Sequence, residues 1–170
     1  AYIHDSIFIN NAAAREKFDS ENANFKMGGA IYFNNEAQTK NEYRLSSCTF
    51  KQNSADSNGH AIFITGTLTR VVISDLCLFE DNSANGGSQI FVNNKDSILD
   101  FSNSTVQLKE TTSKTRGIEV SNGKLIAHHT TFSKVQAANQ GNMVEGNAIL
   151  VNDGDNAAEI TDNISTWASK

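Results

Sequence analysis

Apolar residues recur along this chain at nearly constant spacing. Isoleucine returns at steps of 31, 28, 28 and 31 residues, and another apolar residue stands two positions after each isoleucine. Alternation of this kind places every second side chain on one face of a β-strand. The pattern therefore predicts short strands at equivalent positions of successive repeats, and we call each set of equivalent positions a column. The isoleucine column is Ile31, Ile62, Ile90, Ile118 and Ile149, followed by Phe33, Ile64, Val92, Val120 and Val151.

Further columns keep the same register. Phenylalanine recurs, with Val106 in one gap, at steps of 29, 27 and 26 residues after Phe50. A fixed period with fixed chemistry indicates a solenoid. The phenylalanine column is Phe8, Phe50, Phe79, Val106 and Phe132; the small-residue column before it is Ser6, Cys48, Cys77, Ser104 and Thr130; a looser apolar column is Leu45, Ile73, Leu99, Leu125 or Ile126, and Ile160.

Three short strands in each repeat predict an all-β fold. We expect a right-handed, single-stranded, three-sided parallel β-helix of the pectin-lyase-like type, with about five coils stacked about 4.8 Å apart. A helical solenoid would need long amphipathic segments, which only Ala12–Asp19 approaches. Residues 1–170 form one domain, with a loop insertion at 12–26 projecting from the first coil. Neither end carries a clear cap, so we expect neighbouring repeats of a longer chain or adjacent subunits to cover the ends.

Composition narrows the possible partners. The net charge is −5 and the basic residues are scattered, which argues against nucleic-acid binding. The sequence has no long apolar run that would span a membrane, and it contains no proline, which suits stacked strands. We expect no cofactor and no metal site. Cys48 and Cys77 are expected to be buried thiols, although a disulfide between them is left open.

Asparagine and glycine mark the predicted corners. At a corner, the asparagine amide can bond to the turn backbone and to the asparagine of the next coil. A glycine pair allows a sharp bend with positive φ, and the alanine after it stands where a larger side chain has little room. These structural positions are Asn11, Asn53 and Asn82, and Gly28, Gly29 and Ala30.

These motifs resemble the repeats of the polymorphic outer membrane proteins, which pair Gly-Gly-Ala-(Ile, Leu or Val) with Phe-x-x-Asn. The first motif is intact at Gly28–Ile31, and imperfect copies of it begin at Gly59, Gly87 and Gly146. The second is intact from Phe8, Phe50 and Phe79. The resemblance covers most of the first hundred residues. It implies a cell-surface or extracellular β-helix, associated with the outer membrane if the source is bacterial, that serves in adhesion without catalytic residues.

The residues beside the isoleucine column are the predicted binding surface. If Ile31 and Phe33 face inward, Tyr32 faces outward, and Phe63 and Phe91 follow in the next two coils. Three stacked exposed aromatic rings would form a patch suited to a glycan or protein ligand on a cell surface. Cover by the protein's own loop or a neighbouring domain is the alternative.

Two other functions need consideration. A carbohydrate-active β-helix enzyme would bring carboxylates together, but the candidates fall at different phases of their coils, so we expect no enzyme. An ice-binding solenoid would need a threonine ladder, and Thr65–Thr69 alternates without a matching repeat. The acidic candidates are Asp75, Glu80, Asp81 and Asp100. Asn103 and Asn163 begin glycosylation sequons, which matter only in a eukaryotic secretory route.

Overall fold

The computed structural model describes residues 1–13, 27–37, 39–82, 87–108, 115–133, 149–151, 157–160 and 165–167, the last three segments as strands alone. Within these residues the chain forms strands and turns and contains no helix. The strands are β1 (Tyr2–His4), β2 (Ile7–Ile9), β3 (Ala12–Ala13), β4 (Ile31–Asn35), β5 (Asn41–Ser46), β6 (Thr49–Lys51), β7 (Ser54–Ala55), β8 (Ile62–Gly66), β9 (Thr69–Ser74), β10 (Leu78–Glu80), β11 (Ser88–Ser102), β12 (Thr105–Gln107), β13 (Arg116–His128), β14 (Thr131–Ser133), β15 (Ile149–Val151), β16 (Ala157–Ile160) and β17 (Ser165–Trp167).

The strands stack as a parallel β-solenoid. One sheet has the order β2-β6-β10-β12-β14-β17, and β3 pairs with β7 in a small second sheet. The largest sheet contains β1-β5-β9-β11-β13-β15, with β4-β8 joining β11 and β16 joining β13. The long strands β11 and β13 pass around a corner, where their pairing register shifts between Val92 and Ile98. The expected all-β parallel solenoid is confirmed.

The isoleucine and phenylalanine columns are spatial ladders. Ile62 pairs with Ile31 on one side and Ile90 on the other, and Ile90 pairs with Ile118. The rings of Phe8, Phe50 and Phe79 stack nearly parallel with 4.7 Å between successive centroids. Phe50 and Phe79 lie in the core, and Phe8 is partly buried against it, because alternation directs these rings away from solvent.

One deviation in the phenylalanine ladder is filled from another column. Val106 pairs with Phe79 and Phe132, so a smaller side chain separates two rings. Phe101 fills the space: its ring lies 5.9 Å from the Phe79 ring and 6.3 Å from the Phe132 ring, and it is fully buried. Close packing favours this because an unfilled cavity in the core is destabilising.

The looser apolar column was aligned wrongly from the sequence. Ile73 pairs with Leu45 and with Phe101, not with Leu99. Leu99 instead pairs with Val71 and Leu125. Ile73 and Phe101 both stand 11 residues after the isoleucine column, so these two coils have corners of equal length. The expected alignment took Leu99 in place of Phe101 because both residues lie on the inward face, two positions apart, where alternation does not distinguish them.

An asparagine ladder runs along one corner. Asn11 and Asn53 each donate from Nδ2 to Oδ1 of the next asparagine, at 2.8 Å in both cases. The Nδ2 groups of Asn53 and Asn82 also donate to the carbonyl oxygens of Phe8 and Phe50. At the end of the ladder, Oε1 of Gln89 accepts from Asn82 Nδ2 at 2.8 Å. The expected bonds to backbone and to the next asparagine are confirmed.

Glycine is required at the corners for two reasons. Gly28, Gly59 and Gly87 have φ of +70°, +68° and +80°, the left-handed conformation that glycine adopts without a steric penalty. Gly29 is needed for space, because a Cβ there would lie 2.4 Å from the Ser54 carbonyl oxygen. His60 and Ser88 stand at the equivalent of Gly29, so this second glycine is not needed in every coil.

The expected insertion at 12–26 begins too early. Ala12 and Ala13 form β3 and pair with Ser54 and Ala55, so they belong to the solenoid. Residues 14–26 lie outside the described part of the chain. Cys48 and Cys77 are free and buried, as expected from their column, and the Cys48 N–H donates to Sγ of Cys77 at 3.4 Å.

Candidate functional site

The three aromatic residues beside the isoleucine column form a continuous stack. Tyr32 pairs in register with Phe63, and Phe63 with Phe91. Their ring centroids are 5.4 and 5.2 Å apart, with interplanar angles of 8° and 29°. The predicted stacking on the outward face is confirmed, because it follows from strand alternation and an in-register ladder.

The expectation of three exposed rings is wrong. Tyr32 is 38% exposed, but Phe63 is 2% and Phe91 6% exposed. Phe63 has a ring on either side, whereas Tyr32 ends the described stack and has a ring on one side alone. Partial burial and the negative charge of Glu36 raise the pKa of the Tyr32 hydroxyl above its ordinary value. Tyr32 is therefore the accessible, uncharged end of a buried aromatic stack.

The four acidic candidates occupy structural positions. Asp75 and Asp81 lie in turns with φ of +55° and +52°, a conformation in which aspartate is enriched. Glu80 pairs with Lys51 at 2.6 Å and accepts from Gln107 Nε2 at 2.6 Å. Asp100 pairs with Arg70 at 2.6 Å. Both ion pairs connect adjacent coils. The pair with Glu80 raises the pKa of the Lys51 ammonium, first through its hydrogen bond and then through its charge.

A partial threonine ladder lies on the outward face of the six-stranded sheet. The successive partners number six, and three of them are threonine: Ile7, Thr49, Leu78, Thr105, Thr131 and Ser165. The Thr65–Thr69 run has no matching repeat, since Thr65 pairs with Asn34 and Thr69 with Asn41. Thr105 and Thr131 do repeat at coil spacing, and sequence reasoning did not identify that pair. The second outward column of that face is Lys51, Glu80, Gln107 and Ser133. The two columns together do not form a flat threonine array.

A pocket of about 280 Å³ lies at the corner where β4 leads into β5 and β8 into β9. Three coils contribute equivalent positions to it, because Glu42 pairs in register with Arg70 and Arg70 with Ile98. The residues two positions earlier also line it. Two columns of three residues therefore line the pocket, together with Asn41 and Thr69 between them: Lys40, Leu68 and Asp96 in one column, and Glu42, Arg70 and Ile98 in the other.

Buried polar groups hold this corner in place. Asn35 donates from Nδ2 to the carbonyl oxygens of Thr39 and Thr67 at 2.9 and 2.7 Å. Its Oδ1 accepts from Asn41 Nδ2 at 2.8 Å. A Cβ on Gly66 would lie 2.1 Å from the Asn35 nitrogen, so glycine is required beside it. The turn that carries Lys40 is thus fixed by hydrogen bonds to its own backbone and to that of the next coil.

The described residues contain no group of three histidine, cysteine, aspartate or glutamate side chains placed to hold a metal ion. Over the same part of the chain, no helix has the length and apolar character needed to cross a membrane. Asn103 lies in an exposed turn with φ of +44°, and Asn163 lies outside the described residues.

Sequence reasoning missed Gln89, Phe101 and the corner pocket. Gln89 stands in the column where Ala30 and Ala61 occur, so a polar residue replacing a small one was the available signal. Comparison with known proteins found no match to any family model, curated protein or solved structure.

Proposed function

We propose that this chain is a non-catalytic structural and adhesion module, displayed at a cell surface or outside the cell, that binds a glycan or protein ligand. In this role the solenoid supplies a stiff scaffold and the outward residues supply contacts. The proposed partners are a surface ligand and neighbouring β-helical repeats or subunits at the ends. If the source is bacterial, the proposed location is the outer membrane.

The observation that carries this proposal is the exposed end of the aromatic stack. Tyr32 offers an apolar ring with a neutral hydroxyl, and its position is fixed by the buried rings of Phe63 and Phe91. A rigid tyrosine contributes contact area at a small cost in side-chain entropy, which suits recognition of a sugar ring or a protein surface. The ion-paired or turn positions of the four acidic candidates favour binding over catalysis.

The finer architecture belongs to the same proposal. We infer a right-handed, three-sided helix of about five coils, since the isoleucine column advances by about 28 residues and each repeat carries three strand segments. Membership of the polymorphic outer membrane protein repeats is proposed on the paired tetrapeptides alone. An experimental structure with left-handed or two-sided coils would contradict this architecture.

The test is binding of the full chain to cultured cells and to an immobilised glycan panel. Tyr32→Ala should weaken binding at least about threefold, since one well-packed contact contributes about 1 kcal/mol or more. Tyr2→Ala is the matched control, because Tyr2 is 61% exposed but lies on β1. Equal binding by the Tyr32→Ala variant and the wild type would exclude this surface. Substitution of Phe63 or Phe91 is unsuitable because both are buried.

A further inference from the structure

We propose that the corner pocket binds a dipolar group, with a carboxylate at the Lys40 end and an ammonium at the Asp96 end. The ligand class is an ω-amino acid, or the C-terminal lysine of a protein, which carries the same two charges on an aliphatic stem. This pocket is separate from the aromatic stack. In its protein-binding form it rests on the proposed adhesion function, but binding of a free ω-amino acid does not.

The charges of the central coil are already neutralised within the structure. Arg70 pairs with Asp100 at 2.6 Å and approaches Glu42 at 3.7 Å. Glu42 also pairs with Arg44 at 2.6 Å. The middle of the pocket therefore has little net charge to offer a ligand.

The charges at the two ends of the pocket, Lys40 and Asp96, are not neutralised in this way. Within the described part of the chain, Lys40 and Asp96 make no ion pair, and the Asp96 carboxylate has no hydrogen-bonded partner. The Asp96 backbone N–H donates to Asn94 Oδ1 at 2.9 Å, which holds the turn that carries the carboxylate. One unpaired cation and one unpaired anion therefore line the same pocket.

The spacing sets the length of the ligand. Lys40 and Asp96 belong to coils two strand spacings apart, so their backbones are separated by about 10 Å. Leu68 lies between them in the same column, and Ile98 lies beside Asp96. An aliphatic spacer would contact these two apolar side chains while its charged ends reach the lysine and the aspartate. A simple anion would be repelled by Asp96, and a simple cation by Lys40.

The experiment is an NMR titration of the full chain with 6-aminohexanoate. Shorter and longer probes, 4-aminobutyrate and 8-aminooctanoate, measure the preferred length, and hexylamine and hexanoate each carry one charge. We expect shifts at the corner turns, a length optimum, and binding by either single-charge probe at least about threefold weaker. Equal binding of hexylamine or hexanoate would overturn the dipolar assignment, as would the absence of shifts at this corner.

Charge variants identify the two ends. Lys40→Ala and Asp96→Asn should each weaken 6-aminohexanoate binding at least about threefold, while Lys95→Ala and Glu36→Gln should not. The controls are exposed charges outside the pocket lining. The double variant Lys40→Asp with Asp96→Lys should recover the affinity lost in Lys40→Asp, because a dipolar ligand can bind in the reverse direction. A double variant no better than Lys40→Asp would refute the assignment.

Peptides distinguish the two sources of the ligand. A peptide ending in lysine with a free carboxylate should bind, and its C-terminal amide should not. Binding of both peptide forms would contradict a carboxylate contact at Lys40. If 6-aminohexanoate binds but neither peptide does, the dipolar pocket stands and its ligand is a free small molecule.

Discussion

Asn82 gives the sharpest test of how the solenoid is held together. Its side chain is fully buried and makes four hydrogen bonds. Oδ1 accepts from the Asn53 N–H at 3.1 Å and from Asn53 Nδ2 at 2.8 Å. Nδ2 donates to the Phe50 carbonyl oxygen at 2.9 Å and to Gln89 Oε1 at 2.8 Å. Replacement by alanine removes all four bonds at once.

The expected cost follows from these bonds. At about 1 kcal/mol net for each, the four bonds give about 4 kcal/mol. The buried Asn53 N–H also loses its acceptor, and an unsatisfied buried group costs about 1–3 kcal/mol. Part of this cost is already included in the roughly 4 kcal/mol for the four hydrogen bonds. We therefore expect Asn82→Ala to lower the free energy of unfolding by about 3–5 kcal/mol. Asn34→Ala, which removes an exposed amide bonded to Glu36, should change it by less than about 0.5 kcal/mol.

Two measurements check this expectation. Urea denaturation followed by circular dichroism gives the stability change, and amide hydrogen exchange reports on Asn53 directly. In stacked repeats, each repeat unfolds with a cooperativity that depends on its neighbours, so one region can open while the rest stays folded. Hydrogen exchange therefore separates a loss of stability at this corner from a loss of stability of the whole protein. The reasoning fails if Asn82→Ala costs no more than Asn34→Ala, or if the Asn53 amide keeps its protection relative to other core amides.

Three further predictions concern packing, backbone and thiol chemistry. Phe79→Ala should cost about 3–5 kcal/mol in urea denaturation because it leaves a cavity in the ring stack; a cost no greater than that of Phe79→Leu would contradict this. Leu76→Gly should raise the unfolding free energy by about 0.5–1 kcal/mol, since Leu76 has φ of +66° and is 82% exposed; a lower urea midpoint would count against backbone strain. Burial raises the pKa of the Cys77 thiol to about 11, so it should react slowly with a disulfide reagent at pH 8 and rapidly after unfolding. Because folding raises this pKa, the protonated Cys77 thiol contributes stability that is present below about pH 9 and is lost as pH rises toward 11. Urea midpoints of wild type and Cys77→Ser, measured across this pH range, would show the loss in the wild type alone.

The sequence revealed the ladders because residues one repeat apart become spatial neighbours in a parallel stack. Ile62, Ile90 and Ile118 occupy equivalent positions in sequence and pair directly in space. Similar residues that recur at a fixed step in the sequence therefore predict which residues are in contact in the structure. Alternation also placed Tyr32, Phe63 and Phe91 on one face, but it gives the side of a strand and not what covers that side. Their burial could not be deduced from it.

The sequence did not reveal features that join different columns. Phe101 compensates for Val106, and no periodicity connects a phenylalanine in one column with a valine in another. Gln89 ends the asparagine ladder from an alanine column. The alignment also took Leu99 in place of Phe101, because both residues face inward and lie two positions apart on the same strand. Such features depend on volume and hydrogen-bond matching in three dimensions, which a column alignment does not contain.

The same distinction indicates where function is expected in this solenoid. A column filled by like residues, such as the phenylalanines or asparagines, is constrained because each member packs on its neighbours. A column of unlike residues gains no such stacking energy, as in the column of Lys40, Leu68 and Asp96. The spacing between coils alone sets the distance between the side chains of such a column. Regular ladders therefore position irregular ones at fixed intervals of about 4.8 Å. Binding variants are expected to act mainly on affinity in the irregular columns and mainly on stability in the regular ones.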